Sequence, residues 1–345
     1  MSRIYLDYNA TTPLRSEARE AMLRAMDLVG NPSSVHAEGR AAKGVVERAR
    51  AQVARLAGCA AQQVVFTGSA TEAAAVALRG QRVVCAALEH ESVAVHCEVV
   101  LDCTGGRVSD SLDVWGAQQG ANSETGLLQD VLPGRFLTDL VQLGGKRALD
   151  FPALGARFGM LSAHKMGGPK GVGALLVAEG VDIDPLIPGG GQEMGRRSGT
   201  ENVIGIAGFG AAAEAAQRDL ADGSWDQVEK LRNILESALA EINPATIFVG
   251  KEAQRLPNTS CFITPGWRAE TQVMQMDLAG YAISAGSACS SGKVKESRVL
   301  RAMGFGDLAG CGVRVSLGLE TREEDVLGFV AAWGSAFKKF RNRAA

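Results

Sequence analysis

The chain has 345 residues, of which 46% carry hydrophobic side chains, and its 36 lysines and arginines nearly balance 38 aspartates and glutamates. A formal net charge of -2 gives no electrostatic basis for binding nucleic acid or an anionic membrane. No apolar run approaches the roughly 18 residues of a membrane span, and residues 1–14 contain no apolar segment of signal-peptide length. We therefore expect a cytoplasmic protein with a large buried core.

Short β-branched runs alternate with helical stretches over the first 220 residues. Apolar residues at helical spacing predict three helices in this part, at 16–26, 41–58 and 202–220. Short apolar runs predict the strands of a covered, largely parallel sheet, at 63–67, 82–87, 135–141, 158–163 and 171–177.

A change of composition near residues 221–227 precedes a second α+β unit. Its last helix is the clearest element, because apolar residues from Val326 to Phe340 line one face and Thr321 with Glu324 fits a capping box. The pattern predicts an α/β protein with a large domain and a smaller C-terminal domain, and an active site between them.

The seven cysteines are scattered along the chain without a CxxC pair. An odd number of dispersed cysteines in a long chain indicates neither a disulfide framework nor a zinc site, so we expect no metal. Most of them, Cys85 and Cys261 included, are expected to be small buried side chains. Cys289 differs, because it lies among small and polar residues near Lys293 and Lys295, and cations favour the ionised, nucleophilic form of a thiol.

Lys165 directly follows an apolar run, together with Ser162 and His164, and precedes a glycine-rich bend. A lysine is seldom buried without a partner, so at a strand end it is a phosphate ligand, a Schiff-base lysine or an ordinary surface lysine. Two other segments bear on this choice.

Residues 66–74, FTGSATEAA, have the pattern of a strand, a glycine turn and a helix start, in which backbone N–H groups and a threonine hydroxyl can hold a phosphate. Asp139 lies within an apolar strand, where a lone carboxylate is costly unless it faces a cation such as a protonated pyridine nitrogen. Lysine, phosphate loop and buried carboxylate together indicate pyridoxal 5'-phosphate (PLP).

Eleven motifs, spread in the family's order from residue 4 to about residue 330, resemble those of the NifS/IscS-type cysteine desulfurases, a group within the class V aminotransferase family. They are YLDYNATTP, GNPSSVHAEGR, FTGSATEA, EHESV, ANSETG, TDLVQ, LSAHKMGGPKGVGAL, GGGQEMGRRSGTEN, LPNTSC, SAGSACSSG and VRVSLG. The resemblance implies the PLP-dependent transferase fold of type I, with a mostly parallel central sheet in the large domain and a smaller α+β C-terminal domain. We expect the large PLP-binding domain to span 13–225, and the small domain to comprise 1–12 and 226–345.

The resemblance also implies roles around the cofactor ring. Lys165 matches the lysine that bonds to PLP and later moves the Cα proton of the substrate. Asp139 matches the partner of the pyridine nitrogen, and Gln142 the donor to the phenolate oxygen. His90 matches an imidazole that stacks on the ring and is placed for proton transfer.

Further matches concern the phosphate group. Four residues match phosphate-binding positions: Ala70, Thr71, Ser162 and His164. Thr200 matches a phosphate ligand supplied by the other subunit, which implies a homodimer.

Three more residues match positions on the substrate side of the pocket. Arg314 matches the arginine that grips the substrate carboxylate, a contact suited to a guanidinium. Asn9 and Asn31 lie in motifs that border the pocket. Ser123 departs from the family, which has a cofactor-contacting asparagine here; a serine can donate a hydrogen bond but reaches less far.

The implied activity is a cysteine desulfurase, which converts L-cysteine to L-alanine and keeps the sulfur as a persulfide on Cys289, the matched nucleophile. The persulfide would pass to an iron–sulfur cluster scaffold or to a tRNA-thiolation protein. Alternatives are a selenocysteine lyase or other class V β-eliminating enzyme, a class V aminotransferase, and a non-catalytic PLP-fold partner protein.

The stretch 91–138 is shorter than the resemblance leads us to expect and shows only fragments of helix. A parallel crossover normally needs about 10 to 12 residues and is helical. We therefore expect that helices covering the sheet are shortened here, which leaves either irregular loops over the sheet or an apolar patch that binds a dedicated partner. The expected patch includes residues near Val93, Val95, Leu128 and Val131.

Overall fold

The computed structural model describes residues 3–101, 103, 115–288 and 294–344. The helices in this part are α1 (Ser16–Met26), α2 (Ala37–Ala57), α3 (Ala70–Leu78), α4 (Glu91–Ala94), α5 (Val203–Ala221), α6 (Ser224–Ile242), α7 (Ala269–Leu278), α8 (Arg298–Ala302) and α9 (Glu323–Ala344). The strands up to residue 177 are β1 (Ile4–Tyr5), β2 (Val64–Thr67), β3 (Val84–Ala86), β4 (Glu98–Leu101), β5 (Gly116–Gln119), β6 (Leu137–Asp139), β7 (Phe158–Ser162) and β8 (Gly173–Val177). The later strands are β9 (Ile247–Phe248), β10 (Thr259–Ile263), β11 (Tyr281–Ala282), β12 (Ser284–Ala285), β13 (Ser287–Ala288), β14 (Val294–Lys295) and β15 (Gly312–Ser316).

The larger sheet has the strand order β2-β8-β7-β6-β5-β3-β4. Neighbouring strands from β7 to β4 are parallel, and β8 is antiparallel to both β7 and β2. The prediction of a largely parallel sheet is confirmed, and all five predicted strands are present with small differences at their ends.

Helices cover both faces of this sheet. Along β2, Val64 and Phe66 pack into the core formed with α2 and α5, whereas Val65 packs into a second core formed with α3 and α4. Alternate side chains of a strand point to opposite faces, so a strand buried on both sides is apolar throughout. This explains why the predicted strands are recognisable as continuous apolar runs.

The smaller sheet has the order β12-β15-β10-β9 and packs with α6, α7 and α9 around Trp267 and Trp333. The N-terminal segment joins this unit, since β1 pairs with β11 and Leu6 lies in the same core. We propose the domain division 13–225 against 1–12 with 226–345. It is supported by α5 packing on α1 and α2, whereas α6 packs chiefly on α9.

The capping box predicted for the last helix is displaced by one residue. Asp325 Oδ2, not Glu324, accepts a hydrogen bond from the backbone N–H of Arg322 at 2.9 Å, and α9 begins at Glu323. The hydroxyl of Thr321 accepts instead from the N–H of Gly318 at 2.9 Å. The side chain of Thr321 therefore stabilises the preceding turn, and the side chain of Asp325 binds the backbone at the start of α9.

The connection from β5 to β6, residues 120–136, contains no helix, as expected for the shortened region. Instead the loop docks on the small domain, where Leu127 bridges to Arg255 and the N–H of Leu128 donates to the carbonyl of Gln254 at 3.0 Å. The expectation of an open apolar patch is wrong for Val93, which is fully buried. Of the other patch residues, Leu128 and Val131 are half-buried and Val95 is exposed. Irregular loops thus cover much of the surface where helices were expected.

None of the helices in the described part of the chain is long and apolar enough to cross a membrane.

A buried ion pair ties α2 to the segment 189–202. Arg50 Nη1 and Nη2 donate to the two carboxylate oxygens of Glu193 at 2.7 and 2.8 Å, and the N–H of Phe66 donates to Glu193 Oε2 at 2.8 Å. Glu193 and Met194 have φ values of 48° and 59°, in the left-handed region that residues other than glycine seldom adopt. The ion pair therefore holds a backbone turn that the sequence itself does not favour.

We expect Glu193→Gln to lower the free energy of unfolding of the apoprotein by about 3–5 kcal/mol, because it removes the buried charged partner of Arg50 and leaves its guanidinium only the exposed carboxylate of Glu47. Urea unfolding measures the change. The matched control is Glu20→Gln, which removes an exposed pair with Arg24 on α1 and should cost less than about 1 kcal/mol. Equal costs for the two variants would contradict the structural importance of the buried pair.

Candidate functional site

A cleft of about 610 Å³ lies where the carboxyl ends of the parallel strands meet the small domain. Gln119, Asp139 and Ser162 close β5, β6 and β7 and line one wall, while Ser284 and Arg314 of the smaller sheet line the other. Open α/β sheets bind ligands at this edge because side chains from several strand ends converge there. The predicted site residues that line the cleft are Asn9, Ala70, Thr71, His90, Ser123, Asp139, Gln142, Ser162, His164, Lys165 and Arg314.

Two predicted residues do not line this cleft. Asn31 is exposed and its side chain accepts from the N–H of Ser33 at 2.9 Å, which is a local turn contact. Thr200 is also exposed, close to Asn202, whose side chain caps α5. In a single chain neither residue lines the cleft, so the place of Asn31 at the border of the pocket stays a prediction. Cys289 lies outside the described residues.

Lys165 ends the turn that follows β7 and places its amine in the cleft. Lys165 Nζ donates to the carbonyl oxygens of Asn9 and Ala10 at 2.6 and 2.9 Å. Burial, reinforced by the nearby Arg314 cation, lowers the pKa of Lys165 to about 8, although Asp139 and Asp7 act in the opposite direction. A substantial fraction of the amine is thus neutral, and nucleophilic, near neutral pH.

We expect the rate of covalent PLP capture by the apoprotein to rise with pH and to level off above about pH 8, since only the neutral amine of Lys165 attacks an aldehyde. Stopped-flow absorbance from pH 6 to 11 gives the profile. A midpoint near the ordinary lysine value of about 10.4 would show that the environment of Lys165 does not depress its pKa.

Asp139 stands at the end of β6 and faces the cleft. Its Oδ1 accepts from the N–H of Val141 at 2.9 Å. Loss of hydration raises the pKa of Asp139, with partial opposition from that hydrogen bond and from His90 and Lys165. Such a carboxyl is stabilised in its ionised form by a cation in the cleft, and the protonated nitrogen of a pyridine ring is one.

The start of α3 forms a cradle for an anion. Ser69 Oγ caps the helix by accepting from the N–H of Glu72 at 3.1 Å, so the first helical N–H groups, those of Ala70 and Thr71, remain directed at the cleft. Strand β8 approaches this turn closely, because a Cβ placed on Gly173 would lie 2.6 Å from the backbone carbon of Ser69. A glycine is required there if the cradle is to keep its shape.

Two histidines, His164 and His90, line the same cleft. Burial, together with the Lys165 and Lys170 cations, lowers the pKa of His164 to about 4, so this imidazole is neutral at physiological pH. His90 Nδ1 accepts from the N–H of Ser92 at 3.2 Å, which leaves the proton of the neutral ring on Nε2. A neutral His90 can therefore donate a hydrogen bond from Nε2.

Arg314 on β15 is held in the opposite wall. Its Nη2 donates to Asp7 Oδ1 at 2.6 Å and its Nη1 to the carbonyl of Ser123 at 3.0 Å. Its Nε is buried and has no hydrogen-bond partner within the described chain. Arg314 lines the cleft, and a carboxylate that enters it is the kind of group that a guanidinium binds. Ser123 contributes here through its backbone carbonyl, which also accepts from Asn9 Nδ2 at 3.2 Å.

Sequence reasoning missed several polar residues of the site. Glu89 and Arg298 line the cleft, Asp7 orients Arg314, and Lys146 contacts Gln142. Glu89 is fully buried, and burial raises its pKa well above the usual value. The sequence signal that could have identified Glu89 is its position next to His90 in the EHESV motif.

The arrangement fits PLP in each of its parts. A helix start with free N–H groups suits a phosphate, a buried carboxyl suits the ring nitrogen, and a largely desolvated amine suits the aldehyde. The guanidinium of Arg314 in the opposite wall then suits the carboxylate of an amino acid bound next to the cofactor.

Comparison with known proteins agrees with this site. The family model described as Aminotransferase class-V matches residues 4–131 and 134–329. The cysteine desulfurase IscS of Dictyoglomus turgidum is 34% identical over 361 residues, covering 94% of this chain and 91% of its own length. A cysteine desulfurase of Cereibacter sphaeroides is 38% identical over 341 residues, covering 88% of this chain and 87% of its own.

Comparison with solved structures also identifies a NifS-like protein. The NifS-like protein of Rickettsia africae superposes with a TM-score of 0.89 at 31% identity, covering 97% of this chain and 99% of its own. The expected fold of type I and the resemblance inferred from the motifs are both confirmed. The chain belongs to the class-V aminotransferase family of PLP-dependent enzymes, and to the NifS- and IscS-like proteins within it.

Proposed function

We propose that this protein is a PLP-dependent cysteine desulfurase, which converts L-cysteine to L-alanine and retains the sulfur as a persulfide on Cys289. The observation that carries the proposal is the convergence of Lys165, Asp139 and Arg314 on one cleft. Relatives named cysteine desulfurase, which align over about nine tenths of the chain, support the same activity.

In this proposal the residues of the cleft bind and orient the substrate. Arg314 holds the carboxylate, and Asp7 and Ser123 keep its guanidinium in place. The start of α3 and His164 hold the cofactor phosphate, and Asp139 faces the ring nitrogen. PLP, when bound, supplies an aldehyde for the substrate amine and an electron sink for the charge left when the Cα proton departs.

Proton transfer is the task of two residues. Lys165 accepts the Cα proton in its neutral form, which its pKa of about 8 makes available near neutral pH. His90 lies at the cleft, and its motif matches the imidazole placed for proton transfer. The apolar side chains of Leu88, Val141 and Met160 form part of the wall and limit the access of water.

Cys289 supplies the nucleophile. Its thiolate attacks the substrate sulfur, a sulfur–sulfur bond forms, and the bond from sulfur to Cβ breaks. The electron pair remains with the carbon skeleton, which takes up protons and leaves as alanine, so no external oxidant or reductant is consumed. A reductant or an acceptor is needed only to empty the persulfide.

Incubation of the purified holoprotein with L-cysteine and dithiothreitol tests the proposal. We expect alanine and sulfide in equal amounts. Selenocysteine cleavage without cysteine cleavage would indicate a selenocysteine lyase, and turnover that depends on an added keto acid would indicate an aminotransferase. If none of these substrates is turned over, the remaining alternative is a non-catalytic partner protein with the PLP fold.

We also propose a cytoplasmic homodimer that passes its sulfur to an acceptor protein, either an iron–sulfur scaffold or a tRNA-thiolation protein. A reduced thiol at Cys289 requires a reducing compartment. The dimer is supported by Thr200, which is exposed and remote from the cleft of its own chain although its motif matches a phosphate ligand from a second subunit.

A complementation experiment tests the shared site. Thr200→Asp places a negative charge against the phosphate, and Lys165→Ala removes the essential amine, so each homodimer should be inactive. Mixed dimers contain one site with neither change, and we expect mixing to restore part of the activity. If native mass spectrometry shows subunit exchange but activity does not recover, the proposal that the two subunits share the site is contradicted.

A further inference from the structure

Lys146 is a buried amine close to the site that the proposed reaction leaves without a role. It lies in the turn after β6, and only 3% of its surface is exposed. Lys146 Nζ donates to the backbone carbonyl and to the side-chain Oε1 of Gln142, at 3.2 and 3.3 Å. No carboxylate forms an ion pair with it within the described residues.

The surroundings of Lys146 disfavour its charge. Burial, followed by the cations Lys165 and Arg314, lowers the pKa of Lys146 to about 7. Lys146 and Lys165 also line a common cavity of about 70 Å³, together with Arg15 and Glu320. A desolvated amine with two cationic neighbours and no paired carboxylate lowers the stability of the fold, so stability does not explain a lysine here.

The hydrogen bonds of Lys146 determine how the amide of Gln142 is oriented. Lys146 Nζ donates to Gln142 Oε1, and in its charged form it has no acceptor, so the amide oxygen of Gln142 faces it. The amide nitrogen is then turned the other way, where Gln142 Nε2 donates to the carbonyl of Asn9 at 3.1 Å. Its second N–H remains for the cleft, which Gln142 lines.

The same carbonyl connects this amide to the reactive amine. Asn9 O accepts from Lys165 Nζ at 2.6 Å as well as from Gln142 Nε2. Lys146, Gln142, Asn9 and Lys165 thus form one continuous chain of hydrogen bonds. Loss of Lys146 would leave the amide oriented by Asn9 alone, with its oxygen unsatisfied in a buried position.

We propose that Lys146 is a positioning residue of the cofactor site, which orients the amide of Gln142 so that its remaining N–H faces the cleft and the bound PLP. This inference rests on the proposed binding of PLP in that cleft. It assigns Lys146 an action through Gln142, with no contact of its own to the cofactor.

A double-mutant cycle on PLP binding tests the inference. Lys146→Met, Gln142→Leu and the double variant are prepared as apoproteins, and the dissociation constant of PLP and the ratio of the visible absorption bands of the bound cofactor are measured. The band ratio responds to hydrogen bonds donated to the phenolate oxygen, so a purely structural role of Lys146 would not move it. The matched control is Arg147→Met, which removes the charge of the adjacent, exposed residue.

We expect Lys146→Met to weaken PLP binding about 5- to 10-fold, the effect of one buried hydrogen bond, and to shift the band ratio in the same direction as Gln142→Leu. In the Gln142→Leu background, Lys146→Met should change the dissociation constant less than about 2-fold, because its target is gone. Arg147→Met should behave as the wild type.

Two results would overturn the inference: an unchanged dissociation constant and band ratio in Lys146→Met, or an equal effect of that substitution with and without Gln142. Thermal unfolding of the apoproteins checks the fold, and Lys146→Leu replaces Lys146→Met if the latter unfolds at a lower temperature. If the wild type binds no PLP, the proposed function fails together with this inference. If the wild type binds PLP and Lys146→Met matches it, only the role of Lys146 fails.

Discussion

Lys165→Ala is expected to lose covalently held PLP and to lower alanine formation at least about 10³-fold. The substitution removes both the amine that bonds to the aldehyde and the group that moves the Cα proton, and proton transfer alone contributes about 10²- to 10⁴-fold in enzymes. The fold should survive, because removal of a desolvated amine costs little stability.

Borohydride reduction of the PLP-loaded protein, followed by peptide mapping, measures the first effect, and the yield of alanine from L-cysteine measures the second. The control is Lys170→Ala, an exposed lysine in the same glycine-rich bend, which should retain the covalent adduct. Reduction that labels a lysine other than Lys165 in the wild type would refute the assignment.

Cys289→Ser is expected to bind PLP and L-cysteine as the wild type does, yet to form no enzyme-bound persulfide and less than about 1% of the alanine. The groups that hold cofactor and substrate belong to the described walls of the cleft, including Asp139, Lys165 and Arg314. They are therefore left intact. A serine hydroxyl does not ionise near neutral pH, so it cannot attack the substrate sulfur as a thiolate does.

The persulfide is detected by mass spectrometry after alkylation, and cysteine binding by the absorbance change of the bound cofactor. Cys59→Ser is the control, since burial raises the pKa of Cys59 to about 11 and makes its thiol unreactive. Persistent persulfide formation in Cys289→Ser would remove Cys289 from the mechanism and direct attention to the other cysteines.

The sequence by itself indicated most of the cleft because of a simple geometric rule. Asp139 and Ser162 end neighbouring parallel strands, and residues 69–71 start the helix after another strand of the same sheet. Parallel strands bring their carboxyl ends to one edge, so chemistry-bearing residues at strand ends converge without knowledge of the detailed packing. Apolar runs buried on both faces made those strands recognisable in advance.

Other features depended on contacts between distant segments, which local patterns do not specify. Lys146 is an ordinary turn lysine in the sequence, and its burial follows from the packing of the N-terminal segment and the small domain around it. The packing of the shortened region also depends on tertiary contacts, since the loop 120–136 forms hydrogen bonds with residues 254–255 of the small domain. Val93 is buried although it belonged to the expected open patch.

The surroundings of a titratable group were also decided only by the tertiary structure. The sequence placed Lys165 after a strand, but its pKa of about 8 results from burial and from Arg314, almost 150 residues away along the chain. The sequence likewise identified Arg314 by its motif, whereas the contacts that leave its Nε unpaired come from Asp7 and Ser123. Residue type and strand order are local properties and can be read from the sequence, whereas desolvation and charge–charge distances exist only once the chain has packed.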